Sequence, residues 1–174
     1  KQALYPTMGR EHVEFLKRNR LIYDKEPRVI FKSINYAYVV VNTQVWKIDK
    51  FYNTNVIGTV ALGTNIWWAI LPVNNTMYVM LTDEETIYVI TENGSTVTMA
   101  PVTDGHAPVN PQYVAAFGNR FVVSSKGTPN FFLSTINLDT GLSTCFTING
   151  APLFANASGI IGQFGVLHNQ LYIF

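Results

Sequence analysis

From Arg28 onward the chain is written in short apolar runs, each closed by residues that turn a backbone on itself. Runs 29–33, 36–41 and 44–48 are separated by Asn35 and by Asn42-Thr43, and 55–59 supplies a fourth. The phrase returns at 66–73, which leads through Asn74-Asn75 into 77–81, through Asp83-Glu84-Glu85 into 87–91, and through Asn93-Gly94 into 96–100. It returns again over 113–117, Gly118-Asn119, 120–125, a Lys126–Asn130 turn and 131–136, with 142–148 expected as the fourth strand. A last copy starts at Ile160, turns at His168-Asn169 and closes with 171–174. Runs of this length bounded by Gly, Asn and Pro predict antiparallel meanders, because Gly and Asn accept the positive φ of tight hairpins.

Aligning the first hairpin of each copy gives INYAYVV, NNTMYVM, GNRFVV and HNQLYIF. The turn asparagines Asn35, Asn75, Asn119 and Asn169 fall at intervals of 40, 44 and 50 residues, and an aromatic (Tyr38, Tyr78, Phe121 or Tyr172) follows each. Self-similarity of this period with four short strands per unit is the signature of β-propeller blades. The fold class expected is therefore all-β: a β-propeller of four-stranded antiparallel blades, about three and a half of them present. A β-sandwich is the rival, although it needs no such recurrence. The runs YVVV, YVML and FVVS are apolar at consecutive positions, as strands covered on both faces require. Isolated hairpins are marginal, so stability must come from stacking, and an incomplete propeller over 28–174 predicts completion by further chain or by assembly.

Composition narrows the class. With 48% hydrophobic and 13% charged residues the chain is globular rather than disordered. Thr, Asn or Gly interrupts every apolar run, so no transmembrane helix is expected. Charge is uneven: residues 1–50 hold ten of the twelve Lys and Arg against five acids, giving +5, whereas 51–174 hold two against six, giving −4. Residues 1–27 read as a basic N-terminal arm with a helical pattern over 11–23. Its Lys17, Arg18 and Arg20 are candidates for a phosphate or acidic-partner contact. The bland alternative is a solvated helix in which Glu11 and Glu14 pair with Lys17 and Arg18.

Candidate chemistry is sparse. Cys145 is the sole cysteine, which excludes an intrachain disulfide and reads as a buried structural thiol. Asp104-Gly105-His106 sets a carboxylate and an imidazole two residues apart with no recognisable nucleophile motif beside them. Asp83-Glu84-Glu85 lacks the spaced oxygens and glycine of a calcium loop and reads as a solvated hairpin turn. His12, His106 and His168 have no metal spacing. Neither metal nor cofactor is expected. Neighbours on a strand face opposite ways, so Trp67-Trp68 reads as packing in a doubly covered sheet, with an exposed aromatic platform for sugars as the alternative.

The segments VWKIDKFYNTNVIGTV, TMYVMLTDEETIYVI, FGNRFVVSSKGTPNFFLSTIN and SGIIGQFGVLHNQLYIF together resemble the tail hub or nozzle proteins of short-tailed bacteriophages, also called packaged-DNA stabilisation proteins. The resemblance spans 28–174, and those proteins are longer. It implies a non-enzymatic structural virion protein, assembled in the host cytoplasm into a hexameric homo-oligomeric ring below the portal and adaptor. Such a ring would extend the tail tube, help retain packaged DNA and anchor fibres, spikes or a needle. Double-stranded DNA would pass through its lumen without sequence recognition, and the negative balance of 51–174 would suit a conduit that releases it. The alternatives are a carbohydrate- or ligand-binding propeller module using Trp67 and Trp68, and a propeller hydrolase whose catalytic residues lie partly elsewhere.

Overall fold

The computed structural model describes residues 27–134, 145–146, 153–154 and 159–174. Among them every regular element is a strand. Three four-stranded antiparallel sheets and one hairpin are formed, each sheet following chain order. The first comprises β1 (Pro27–Lys32), β2 (Ala37–Val41), β3 (Gln44–Ile48) and β4 (Thr54–Thr59). The second comprises β5 (Trp67–Val73), β6 (Thr76–Thr82), β7 (Ile87–Asn93) and β8 (Thr96–Pro101). The third holds β9 (Pro111–Phe117), β10 (Arg120–Ser125), β11 (Asn130–Leu133) and β12 (Leu153–Phe154), and the hairpin pairs β13 (Phe164–Leu167) with β14 (Gln170–Ile173).

Turn chemistry sets these boundaries. Gly118-Asn119 and His168-Asn169 carry positive φ at both central positions, the requirement of a type I′ hairpin whose twist matches that of its strands. Asn42, Asn74 and Gly94 supply the positive φ at the first turn position of three further two-residue hairpins. Asn35 works differently. Its turn is closed by Ser33, whose Oγ accepts from the Asn35 and Tyr36 amides at 3.3 and 3.1 Å, a side chain standing in for a backbone acceptor.

One expected strand is relocated. The fourth strand of the third sheet is not 142–148: β12 pairs with β11 through Asn130↔Phe154 and Phe131↔Leu153. Of the expected span only Cys145 and Phe146 are described, and Phe146 makes an isolated antiparallel bridge to Ser134. Ser134 is a junction, since its amide donates to Phe121 O and its hydroxyl accepts from Phe121 N, both at 2.9 Å. That double tie holds the end of the third strand onto the second whatever lies beyond it.

The chain divides into two compact units, Lys1–Thr59 and Val60–Phe174. In the first, Val39, Val41 and Ile48 pack with Ala37 and Trp46 on one sheet face, while Phe31 stacks on its cross-strand partner Tyr38 on the other. In the second unit the sheets lie face on face. Ala69, Leu71, Tyr78, Met80, Ile87 and Val89 of the second sheet meet Phe121 and Val123 of the third, with Cys145 and Phe146 closing the layer. The third sheet's opposite face, through Ala115 and Val122, meets Ile161 and Phe164. Second strands are the most enclosed: β6 is buried from Met77 to Thr82 and β10 from Phe121 to Ser124. Burial on both faces is what their unbroken apolar runs require, since alternation survives only where one face meets water.

Candidate functional site

Two polar clusters stand out, both in the second unit. The first is built on Asp104, in the connection between β8 and β9. Its side chain is buried, and Oδ1 accepts from the His106 amide at 2.9 Å and lies 3.0 Å from His106 Nδ1. Oδ2 accepts from the Phe146 amide at 2.6 Å, across 42 residues of sequence. Burial alone would push this carboxyl up, but the two amides and the imidazole more than offset it and hold its pKa below the ordinary value. Cys145 is brought beside the pair, which the sequence did not reveal.

This acid, imidazole and thiol do not make a nucleophile. A reactive cysteine needs an electropositive, partly exposed setting. Cys145 is enclosed in the core layer, where burial and then the negative charge of Asp104 push its thiol up to about 12. His106 spends Nδ1 on Asp104 and its side chain is 47% exposed. The cluster's evident work is architectural: one carboxylate closes the 104–107 turn and pins Phe146 into the core.

The second cluster corrects the reading of Asp83-Glu84-Glu85 as a solvated turn. Asp83 is fully buried; Oδ1 accepts from the Glu85 and Thr86 amides at 3.1 and 2.7 Å, and Oδ2 from the Ala61 amide at 2.7 Å. Glu84 adopts φ 66, a left-handed conformation unfavourable for a side chain of its size. The strain places its carboxylate, 9% exposed, against Lys126 Nζ at 2.5 Å and Asn65 Nδ2 at 3.0 Å. Burial raises this carboxyl, and the bonds from Lys126 and Asn65 bring it net below its ordinary value. The Trp67 indole N–H adds a weaker favourable effect on Glu84 without meeting hydrogen-bond geometry, and its nitrogen is enclosed. Residues 60–66, the β6–β7 turn and the β10–β11 turn are thus tied together at one end of the second and third sheets.

Trp67 and Trp68 diverge as neighbours on one strand must. Trp67 meets Tyr113 of β9 edge-on, ring centroids 4.6 Å apart, while Trp68 lies on the opposite face in register with Leu81 and is 37% exposed. The two indoles therefore form no common platform. Lys17, Arg18, Arg20 and His12 lie outside the described residues, as does the span 11–23 over which a helix was expected. His168 occupies a hairpin turn with φ 49. Among the described residues no three His, Cys, Asp or Glu side chains gather as metal ligands, and no helix is long and apolar enough to cross a membrane.

No protein-family model matches the chain, and a search of curated proteins gives no match. Function must therefore be argued from the fold and its surfaces, and here the charge balance misleads. Of the six acids in 51–174, Asp83, Glu92 and Asp104 are buried and Glu84 nearly so, while Asp139 lies outside the described residues. Only Glu85 is exposed among those described. The negative balance is spent inside the fold, and the inference of an acidic surface from net charge fails.

Proposed function

We propose that residues 28–174 are blades of a β-propeller within a structural component of a short-tailed phage tail, a hub or nozzle that assembles as a ring. The carrying observation is the recurrence of one meander: strand, asparagine turn and aromatic-bearing second strand, at 40- to 50-residue intervals, with three copies four-stranded and the last a hairpin. Face-to-face stacking of consecutive sheets in the second unit supports it, as does the meeting of their first strands, with Trp67 of β5 against Tyr113 of β9 and Ala115 of β9 clustered with Phe164 of β13. First strands converge in this way when blades surround an axis. The virion role, hexameric ring, portal, adaptor and appendage partners, and passage of DNA rest on the resemblance of 28–174 to tail hubs. A scaffolding role without catalysis fits the Asp104 cluster, whose only nucleophile is sealed and protonated.

Native mass spectrometry with negative-stain microscopy tests the reading. A closed ring of several copies supports it. A monodisperse monomer whose melting temperature rises with a sugar or another small ligand would overturn it in favour of a binding module.

A further inference from the structure

The end of the first sheet formed by the β1–β2 turn and the β3–β4 loop carries an unusual surface. Ile34 is 73% exposed at the tip of the turn and Phe51 67% exposed at the tip of the loop. Turns one strand apart in a meander lie roughly 10 Å from each other, and a direct contact joins these: Lys47 Nζ sits 4.9 Å from the centre of the Tyr36 ring. Lys50 Nζ lies 5.0 Å over the Phe51 ring. Lys32 ends β1 in register with Ala37, whereas Lys47 is in register with Tyr38, so the two lysines flank the tips from opposite sheet faces.

Both tips are held by their own hydrogen bonds rather than by cover from neighbours. Asp49 turns its carboxylate into the loop, accepting from the Phe51 amide at 2.8 Å, the Asn53 amide at 2.9 Å and Asn53 Nδ2 at 2.8 Å. Ser33 does the same for the turn carrying Ile34. Asp49 is the one acid among the described residues at this end, and its charge, which also acts on Lys47, leaves three lysines and one carboxylate, a net of two positive charges, beside two presented apolar side chains. Nowhere else among the described residues does this coincide. Arg28 bonds Asn42 O at the other end of the sheet, and Lys126 is held by Glu84.

We propose that this end of the first sheet is a contact for an anionic lipid surface, with Ile34 and Phe51 entering the interface and Lys32, Lys47 and Lys50 holding the headgroup charge. Apolar side chains rimmed by lysine are what interfacial binding requires, because acyl-chain burial and headgroup attraction then act together. Nucleic acid fits less well: three lysines neutralise few phosphates, and a protruding isoleucine has no phosphate or base edge to meet. The contact goes beyond the hub reading and stands or falls independently of it.

The test is flotation of the full chain with vesicles of phosphatidylcholine containing about 30% phosphatidylserine, against phosphatidylcholine alone, in physiological salt. Partitioning at least tenfold stronger to the anionic vesicles is expected. Each exposed lysine is worth roughly fivefold, so Lys32→Ser with Lys50→Ser should weaken it about 25-fold. Ile34→Ser with Phe51→Ser should remove it while leaving the melting transition in place. Equal partitioning of the parent protein to both vesicles overturns the proposal whatever the variants do. Binding to a short DNA duplex that competes with vesicles and survives Ile34→Ser with Phe51→Ser overturns it in favour of a nucleic-acid contact.

Discussion

Replacing Asp104 with Asn probes the best-defined polar feature of the second unit, because it keeps side-chain size and changes only charge and one acceptor. The carboxylate takes two amide hydrogens and faces one imidazole nitrogen. An amide can keep its oxygen toward His106 only by turning its NH2 toward the Phe146 N–H, leaving that buried donor opposite another donor. Losing charge-assisted bonds and stranding one buried group costs about 2–4 kcal/mol in total, or a melting point lower by about 4–16 °C for a domain of this size. Differential scanning calorimetry and urea unfolding measure it. The sign of the pH effect follows from linkage. Folded Asp104 has a depressed pKa, so its contribution is fully present above the unfolded carboxyl value near 3.9 and is lost as pH falls through the lower folded value. The gap between parent and variant should thus be present at neutral pH and close in stronger acid, as the folded carboxyl takes up its proton. A variant within 0.5 kcal/mol of the parent at neutral pH, about the scatter of an inconsequential surface change, would refute the pinning role.

The same cluster makes Cys145 inert: a neutral-pH thiol reagent should label it only as fast as the second unit opens, and faster in Asp104→Asn, whereas immediate labelling of the parent would show that the thiol is not sealed. Phe121→Ala should cost about 3–5 kcal/mol by opening a cavity where the second and third sheets meet, read by urea denaturation, and a cost below 1 kcal/mol would remove that layer from the core. In the N-terminal segment, Lys17→Ser, Arg18→Ser and Arg20→Ser together should weaken ring assembly or DNA retention, scored by native mass spectrometry and nuclease protection. Unchanged assembly would return these residues to a solvated role.

The meanders were legible because their signals are local. A Gly-Asn pair between two apolar runs states a hairpin wherever it occurs, and Gly118-Asn119 and Asn74-Asn75 form the turns expected of them. The second strands likewise announce their enclosure through apolar residues at consecutive positions. What failed was non-local. The fourth strand of the third sheet could be placed only by what pairs with Asn130 and Phe131, and residues 142–148, with Leu142, Phe146 and Ile148, carry as good a local strand pattern as the two-residue Leu153–Phe154. Asp83 and Glu84 read as solvated because a turn rich in acids normally is. Their burial depends on Ala61, Asn65 and Lys126 closing over them, and the separations involved, up to 42 residues, leave no trace in the turn itself. The charge balance erred for the same reason, since composition counts charges without saying which are enclosed. Strand geometry alone puts Trp67 and Trp68 on opposite faces, and only the contact with Tyr113 shows which indole meets the next sheet.

The central claim is that consecutive meanders are propeller blades arranged about an axis. A cryo-electron microscopy map of the assembled particle at strand-resolving detail tests it most directly. Four-stranded sheets set radially are expected, with β5, β9 and β13 innermost in each copy and the copies closed into a ring. Sheets packed in two layers as a sandwich, in an unclosed particle, would contradict it.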